Sequence, residues 1–398
     1  MNTVNCDFLH NSGCRVAGRE CGEDTVPVSV DACTHCLTKS RPGPRQLNSV
    51  TAGLVIRHLR AHNRDLLAKL YPTLKPYIEC VDSRPSPVGQ RKLLLTTHLS
   101  PGDIMTLTAA VECVKMSYGD EYHFGVDTSC QEIWQFNPHI EQLDPGDPEV
   151  GRLQCEYPLV HQSNQAAVSF LAGYLDYIAR VIGKPVPLRT NRPHLYLSDE
   201  ERCWIGRIEE IYGEYRPYWV VNAGIKSDYT CKQWPVEYYQ EVINRTRDKV
   251  LWVQVGEAGH THKPLENCVV QIGETTPREL IRLVYHAQGG LGPVTFLQHL
   301  CAAWQKPYLC LLGGREPVSW TAYPLQQTLH SIGSLDCCRE TACWKSRVVR
   351  LEDGAVQDES LCEHPMLNWA QPVAQCMSMI TPDLVLAHLE RYFSCCHL

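Results

Sequence analysis

Between about residues 49 and 335 the chain alternates short apolar runs with segments of helical spacing, and this alternation constrains its fold more than any other feature. Residues 92–98 read KLLLTTH, a continuous apolar run of strand length. The loop Leu99-Ser100-Pro101-Gly102 follows. Residues 103–116 carry apolar side chains at helical spacing, and 122–126 form the next predicted strand. A strand at 157–160 and a helix over 165–182 complete a first unit. A second unit starts near Pro217 with a strand at 218–221 (YWVV). Pro235 suits the first position of a helix running to about Arg247. Strands then fall at 250–255, 269–272 and 307–312, with helices over 276–287 and 295–304 between them. Buried strands separated by helices require parallel sheets with right-handed crossovers. Two such units in tandem predict an α/β protein of two Rossmann-like domains facing across a cleft, with ligands beyond the carboxyl ends of the strands. The expected divisions are a cysteine-rich N-terminal metal-binding segment (1–48), a first Rossmann-like domain (49–210), a second Rossmann-like domain (211–335), and a cysteine-rich finger with a closing helix (336–398).

A chain of 398 residues can fill two domains of ordinary size. No stretch approaches the roughly 18 consecutive apolar residues of a membrane span. Residues 1–10 lack a basic region followed by an apolar core, so the expected location is the cytoplasm. The net charge of −7 weighs against a duplex-binding surface, although 41–45 and 57–64 are basic. Nucleic acid is therefore not the expected partner.

Several side chains sit where chemistry would need them. Asp103 follows a strand and a Pro-Gly turn, at the mouth of the sheet; a carboxylate there suits a general base, or simply starts a helix. Lys232 lies in the loop before the helix at Pro235, where a lysine and free amides can neutralise a diphosphate; the alternative is a solvated surface lysine. Thr275 and Thr276 precede another helix and can add hydroxyl and amide contacts. Glu257, just after a strand, suits a nucleotide base or ribose. His299 lies in the apolar helix TFLQHLCAAW, where a lone histidine is ordinarily part of the core.

The chain holds 21 cysteines. Disulfides do not persist in the cytoplasm, and Cys113, Cys301 and Cys310 read as small buried apolar groups. The clustered ones differ. Cys337 or Cys338, with Cys343, Cys362 and Cys376, offers four thiolates of the kind that hold zinc or iron tetrahedrally. Near the N-terminus Cys33 and Cys36 form a Cys-x2-Cys pair, with Cys14 and Cys21 as a second half and Cys6 or His35 as alternates. An iron–sulfur cluster is a further reading of that set.

Four segments, in order, resemble glycosyltransferase family 9, the ADP-heptose:lipopolysaccharide heptosyltransferases. They are LLLTTHLSPGDIMTLTAAVECVK, YWVVNAG leading to KQWPVEYY, GETTPRELIRLVYHA, and GPVTFLQHLCAAWQKPYLCLLGG. The resemblance spans roughly residues 90–335. It implies a GT-B architecture and inverting transfer from a nucleotide-diphosphate sugar, an ADP-heptose-like donor, to a hydroxyl on a saccharide or protein. It implies that Asp103 is the base, that Lys232, Glu257, Thr275, Thr276 and His299 bind the donor, and that no metal acts at the reaction centre. The C-terminal cysteines resemble the iron finger of the autotransporter heptosyltransferase branch. One departure stands out. The family has Asp-Ser/Thr-Gly before the histidine helix, with the aspartate near the donor sugar; this chain has Pro293-Val294-Thr295. Two other functions stay open: a catalytically inactive GT-B scaffold with structural metal sites, and a nucleic-acid-modifying glycosyltransferase. The sequence also leaves oligomerisation open.

Overall fold

The strand β1 (Lys92–Thr97) lies between two parallel partners, β2 (His123–Thr128) and β3 (Val150–Gln154), in a sheet of order β2-β1-β3. The computed structural model describes residues 91–155, 157 and 159–395, together with three two-residue strands in the N-terminal segment. Those strands, Leu9–His10, Gly13–Cys14 and Val26–Pro27, form an antiparallel sheet within a unit covering residues 1–86; the second unit covers 87–398. The expectation of a metal site at Cys14, Cys21, Cys33 and Cys36 concerns side chains outside the described residues.

In the second unit α1 (Pro101–Tyr118) follows β1. Pro101 sits where a missing amide costs nothing, and the Asp103 carboxylate accepts the Ser100 amide at 2.9 Å, so the local sequence specifies the helix start. Helix α2 (Phe170–Ile182) begins at Ser169, whose hydroxyl accepts the Ala172 amide, and ends at Gly183 in a left-handed conformation (φ 69°). Short helices α3 (Asp199–Arg202) and α4 (Arg207–Tyr212) lead to the second sheet.

That sheet has six parallel strands: β4 (Tyr218–Val221), β5 (Leu251–Gly256), β6 (Val269–Ile272), β7 (Gly289–Gly292), β8 (Tyr308–Gly313) and β9 (Gln326–His330). Their order is β9-β8-β7-β4-β5-β6. The chain moves outward from β4 through β5 to β6 and then returns to β7 on the other side of β4. This reversal opens a crevice at the carboxyl ends of β4 and β7, where open α/β sheets bind ligands. Helices α5 (Val236–Thr246), α6 (Pro277–His286) and α7 (Phe296–Ala303) cover the faces. The chain closes with α8 (Gln375–Ser378) and α9 (Pro382–Cys395); Tyr392 and Phe393 of α9 pack on Trp219 of β4. Among the described residues no helix is long and apolar enough to cross a membrane.

A single apolar core joins the two sheets, running from Leu93, Ile104 and Leu107 to Ile281, Leu297 and Leu312. Arg278 of α6 reinforces the junction. It binds the Glu201 carboxylate (Nε to Oε1, 2.6 Å), the Tyr196 carbonyl at 2.7 Å and the Glu132 carbonyl at 3.3 Å.

Three elements differ from the sequence-based expectation. Tyr157, Leu159 and Val160 do not belong to a strand; a 3-10 turn (Val160–Asn164) follows Leu159, and the third strand is Val150–Gln154. That strand alternates buried and exposed residues at a sheet edge, so it lacks the apolar run of a central strand. Strand β7 reads GGLG, a composition that disfavours strands. Packing explains it: a Cβ on Gly289 would lie 2.6 Å from the Trp219 ring, and one on Gly290 would lie 2.9 Å from Tyr308 and 3.0 Å from the Cys301 sulfur. Strand β9 (QQTLH) is a polar edge strand. Replacing Gly289 by Val should destabilise the fold by about 1–3 kcal/mol or more through overpacking. Urea unfolding measures this, and an unchanged midpoint would contradict the packing account.

Candidate functional site

Asp103, Lys232 and His299 come from three distant parts of the chain and meet at the crevice beyond β4 and β7. Asp103 is half-buried at the start of α1. Burial pushes its carboxyl up to about 6, against the opposing pull of Lys232 and of the Ser100 amide; Glu316 adds to the rise. The side chain therefore caps the helix start, as one sequence-based reading expected, and burial raises its proton affinity.

Lys232 closes the loop after β4. It is not a solvated surface lysine: its ammonium bonds Glu316 Oε1 at 2.7 Å and the Val294 carbonyl at 3.3 Å, and lies 5.7 Å from the Tyr229 ring centroid. Burial holds its pKa below the ordinary lysine value, although Glu316 works to restore it. Arg315 also pairs with Glu316, donates to the Lys345 carbonyl at 2.7 Å, and lies over the rings of Tyr229 and Trp344. Burial works to raise the Glu316 carboxyl, but Lys232 and Arg315 outweigh it and hold the group ionised. Sequence reasoning missed Arg315 and Glu316. The signal was the run Gly313-Gly314-Arg315-Glu316 straight after an apolar strand, at the ligand-binding end of the sheet.

His299 is buried in α7, and its Nδ1 shares a hydrogen bond with the Tyr323 hydroxyl at 2.8 Å. Burial, aided by Lys232, drives its pKa down to about 3, so the ring is neutral near pH 7. The ring packs directly on Gly102: a Cβ there would lie 2.9 Å from its Cδ2. The Pro-Gly turn before Asp103 thus admits α7 against the start of α1. Thr295, the residue before α7, lies beside the buried Tyr308 hydroxyl.

The remaining donor-site expectations lie further along the same sheet edge. Glu257 is exposed just past β5 and faces His260 at 3.4 Å. Thr276 caps α6, its hydroxyl bound to Glu279, while Thr275 is half-buried beside it. None of these bonds Asp103 or Lys232. Near them, His262 wedges between bare backbones: a Cβ on Gly224 would lie 2.4 Å from its Nδ1, and one on Gly256 would lie 2.3 Å from its Cε1. Burial and the neighbouring His260 lower its pKa to about 4.

The C-terminal cysteines gather behind the Lys232 loop. The thiols of Cys231 and Cys362 are hydrogen-bonded. A Cβ on Gly314 would lie 2.9 Å from the Cys338 sulfur, and one on Gly313 would lie 3.2 Å from that of Cys376. The Cys343 amide donates to the Gly314 carbonyl at 3.0 Å, and Cys337 lies within electrostatic reach of the others. Yet among the described residues no three Cys, His, Asp or Glu side chains come together closely enough to hold a metal. The expected zinc or iron site at Cys337, Cys338, Cys343, Cys362 and Cys376 is therefore not formed as a closed ligand set among the described residues.

This segment also braces the loop after β4. Arg347, fully buried, binds Asp353 (2.7 and 2.8 Å), Asp358 (2.6 Å), Asp228 (3.3 Å) and the Ser227 carbonyl (3.2 Å). The Cys231 amide donates to the Ser346 carbonyl, and the Val348 amide to the Thr230 hydroxyl.

Residues 187–346, which hold Lys232, His299 and Glu316, match the model of glycosyltransferase family 9 (heptosyltransferase). That segment is similar to glycosyltransferase family 9. A family 9 glycosyl transferase from Veillonella parvula DSM 2008 has a similar structure, with a TM-score of 0.53 at 13% identity, covering 76% of this chain and 97% of that one. The iron-containing dodecameric glycosyltransferase TibC from enterotoxigenic E. coli H10407 reaches a TM-score of 0.50 at 17% identity, covering 76% of this chain and 78% of its own. No curated protein matches the chain by sequence. The likenesses support the GT-B fold, with its two facing α/β halves. The charges at the crevice are coupled. Replacing Lys232 by Met removes the cation that holds the Asp103 carboxyl down. Its titration, followed by carboxyl 13C NMR, should move upward from about 6, by roughly one unit. A midpoint that stays or falls would separate the two groups.

Proposed function

We propose that the protein is an inverting glycosyltransferase that moves a sugar from a nucleotide-diphosphate donor, ADP-heptose-like, to a hydroxyl of a saccharide or protein acceptor. The observation that carries this reading is the electrostatic contact of Asp103 with Lys232 and with Glu316, the carboxylate that Lys232 and Arg315 bind, near the reversal point of the six-stranded sheet. In this reading Asp103 takes the proton of the acceptor hydroxyl as that oxygen attacks the anomeric carbon. The new C–O bond forms on the face opposite the departing diphosphate, so the configuration inverts. The electron pair of the broken bond leaves with the diphosphate, and Lys232, Arg315 and the first amides of α7 stabilise its charge. The chemistry rests on positioning and preorganised charge. The gathered cysteines have a structural part, and no step passes through a metal.

A second reading, a scaffold that binds without transferring, draws on Pro293-Val294-Thr295 and on the closed Lys232–Glu316 pair. The two readings diverge under a donor screen. Thermal shift with ADP-, GDP-, UDP- and dTDP-sugars should raise the apparent stability of the wild type with one nucleotide class, because a ligand bound only by the native state stabilises it. Lys232→Ala should lose that shift. Folded protein that responds to no donor favours the scaffold. For transfer itself, Asp103 must be ionised. The rate should hold above a pH of about 6 and fall as pH drops through it. Asp103→Asn should cost about 10²–10⁴ in kcat; a fully active variant would remove Asp103 from the reaction.

A further inference from the structure

Glu316 is a buried carboxylate with one half of its bonding unspent. It is 4% exposed. Its Oε1 is bound by Lys232 at 2.7 Å and by Arg315. Its Oε2 is buried and has no partner among the described residues. A buried acceptor left without a donor costs about 1–3 kcal/mol, more when charged, so a group that bonded it would relieve a standing penalty.

The charge at the crevice narrows what Oε2 can receive. Lys232 and Arg315 already balance Glu316 and Asp103, so a further cation would leave an excess of charge in a desolvated site. A phosphate oxygen would be repelled. A neutral O–H donor fits both limits. In a crevice that takes a nucleotide-diphosphate sugar, the O–H groups next to the departing phosphate belong to the sugar being transferred. We infer that Glu316 selects the donor sugar: Oε2 accepts a hydrogen bond from a hydroxyl of the transferred sugar, while Oε1 stays paired with Lys232. The inference rests on the donor-site reading above and deepens it. Two carboxylates then divide the work, Asp103 toward the acceptor and Glu316 toward the donor sugar.

The test separates sugar from diphosphate. Wild type, Glu316→Ala and Glu316→Gln are titrated calorimetrically with ADP, GDP, UDP and dTDP and with a sugar conjugate of each. The Ala variant should bind the bare diphosphate no more weakly than wild type, since Lys232 is released from its partner, and should bind the conjugate at least about tenfold more weakly, a loss of about 1.4 kcal/mol. The Gln variant keeps a hydrogen-bonding group at the Oε2 position and should recover part of that loss. If the Ala variant does not fold, the Gln variant decides, with a weaker conjugate and an undiminished diphosphate. Equal weakening of diphosphate and conjugate would overturn the inference and leave Glu316 only as the support of Lys232. Unchanged conjugate binding would overturn it as well. A wild type that binds no nucleotide at all would instead overturn the donor-site reading, and this inference with it.

Discussion

The buried bond between Lys232 and Glu316 organises the site. It joins the loop after β4 to the loop after β8, on the two sides of β7, and so fixes the crevice walls relative to each other. Such a pair contributes little net stability, because removing two charges from water offsets most of their attraction. Its effect is on the neighbours. The lysine restrains the proton affinity of Asp103, helps keep His299 neutral, and donates to the Val294 carbonyl at the approach to α7. A site built from fixed charges needs no rearrangement when charge develops in a reaction.

Bare backbone makes these approaches close. Gly102 admits the His299 ring, and Gly224 and Gly256 together admit that of His262. In β7, Gly289 and Gly290 leave room for Trp219 and Tyr308. A methyl group at any of these positions would push apart elements whose spacing the crevice depends on.

The sequence made the α/β alternation and most central strands legible, because apolar runs bounded by turns carry a strong local signal. The runs YWVV and KLLLTT appear as β4 and β1. It hid β7, whose glycines answer to aromatic neighbours distant in the chain, and the edge strands β3 and β9, whose exposed side chains are polar. At the site, Asp103 and Lys232 were visible through their places at the ends of strands and the starts of helices. Their electrostatics were not, since these arise from Glu316 and Arg315, which lie 84 and 83 residues beyond Lys232 in the chain (316 − 232 and 315 − 232). The cysteine pattern showed that the thiols would gather, but not that Cys231, beside Lys232, would pair with one of them.

The bracing of the Lys232 loop by Arg347 and its aspartates has a consequence for biosynthesis. The loop belongs to the opening of the second sheet, yet its partners Asp353 and Asp358 come more than a hundred residues later, and the Trp234 indole donates to the carbonyl of Ile380 later still. Contacts of such sequence separation form late, because the chain must first bear the entropy of closing the intervening loops. During synthesis the first sheet and α1 can assemble while the second half is still emerging, since domains order from the N-terminus onward. The lysine, however, acquires its fixed position only when nearly the whole chain has left the ribosome. Asp103 is thus held ready in a fold whose opposing charge arrives last, and a chain cut short before its final helices would present half a crevice.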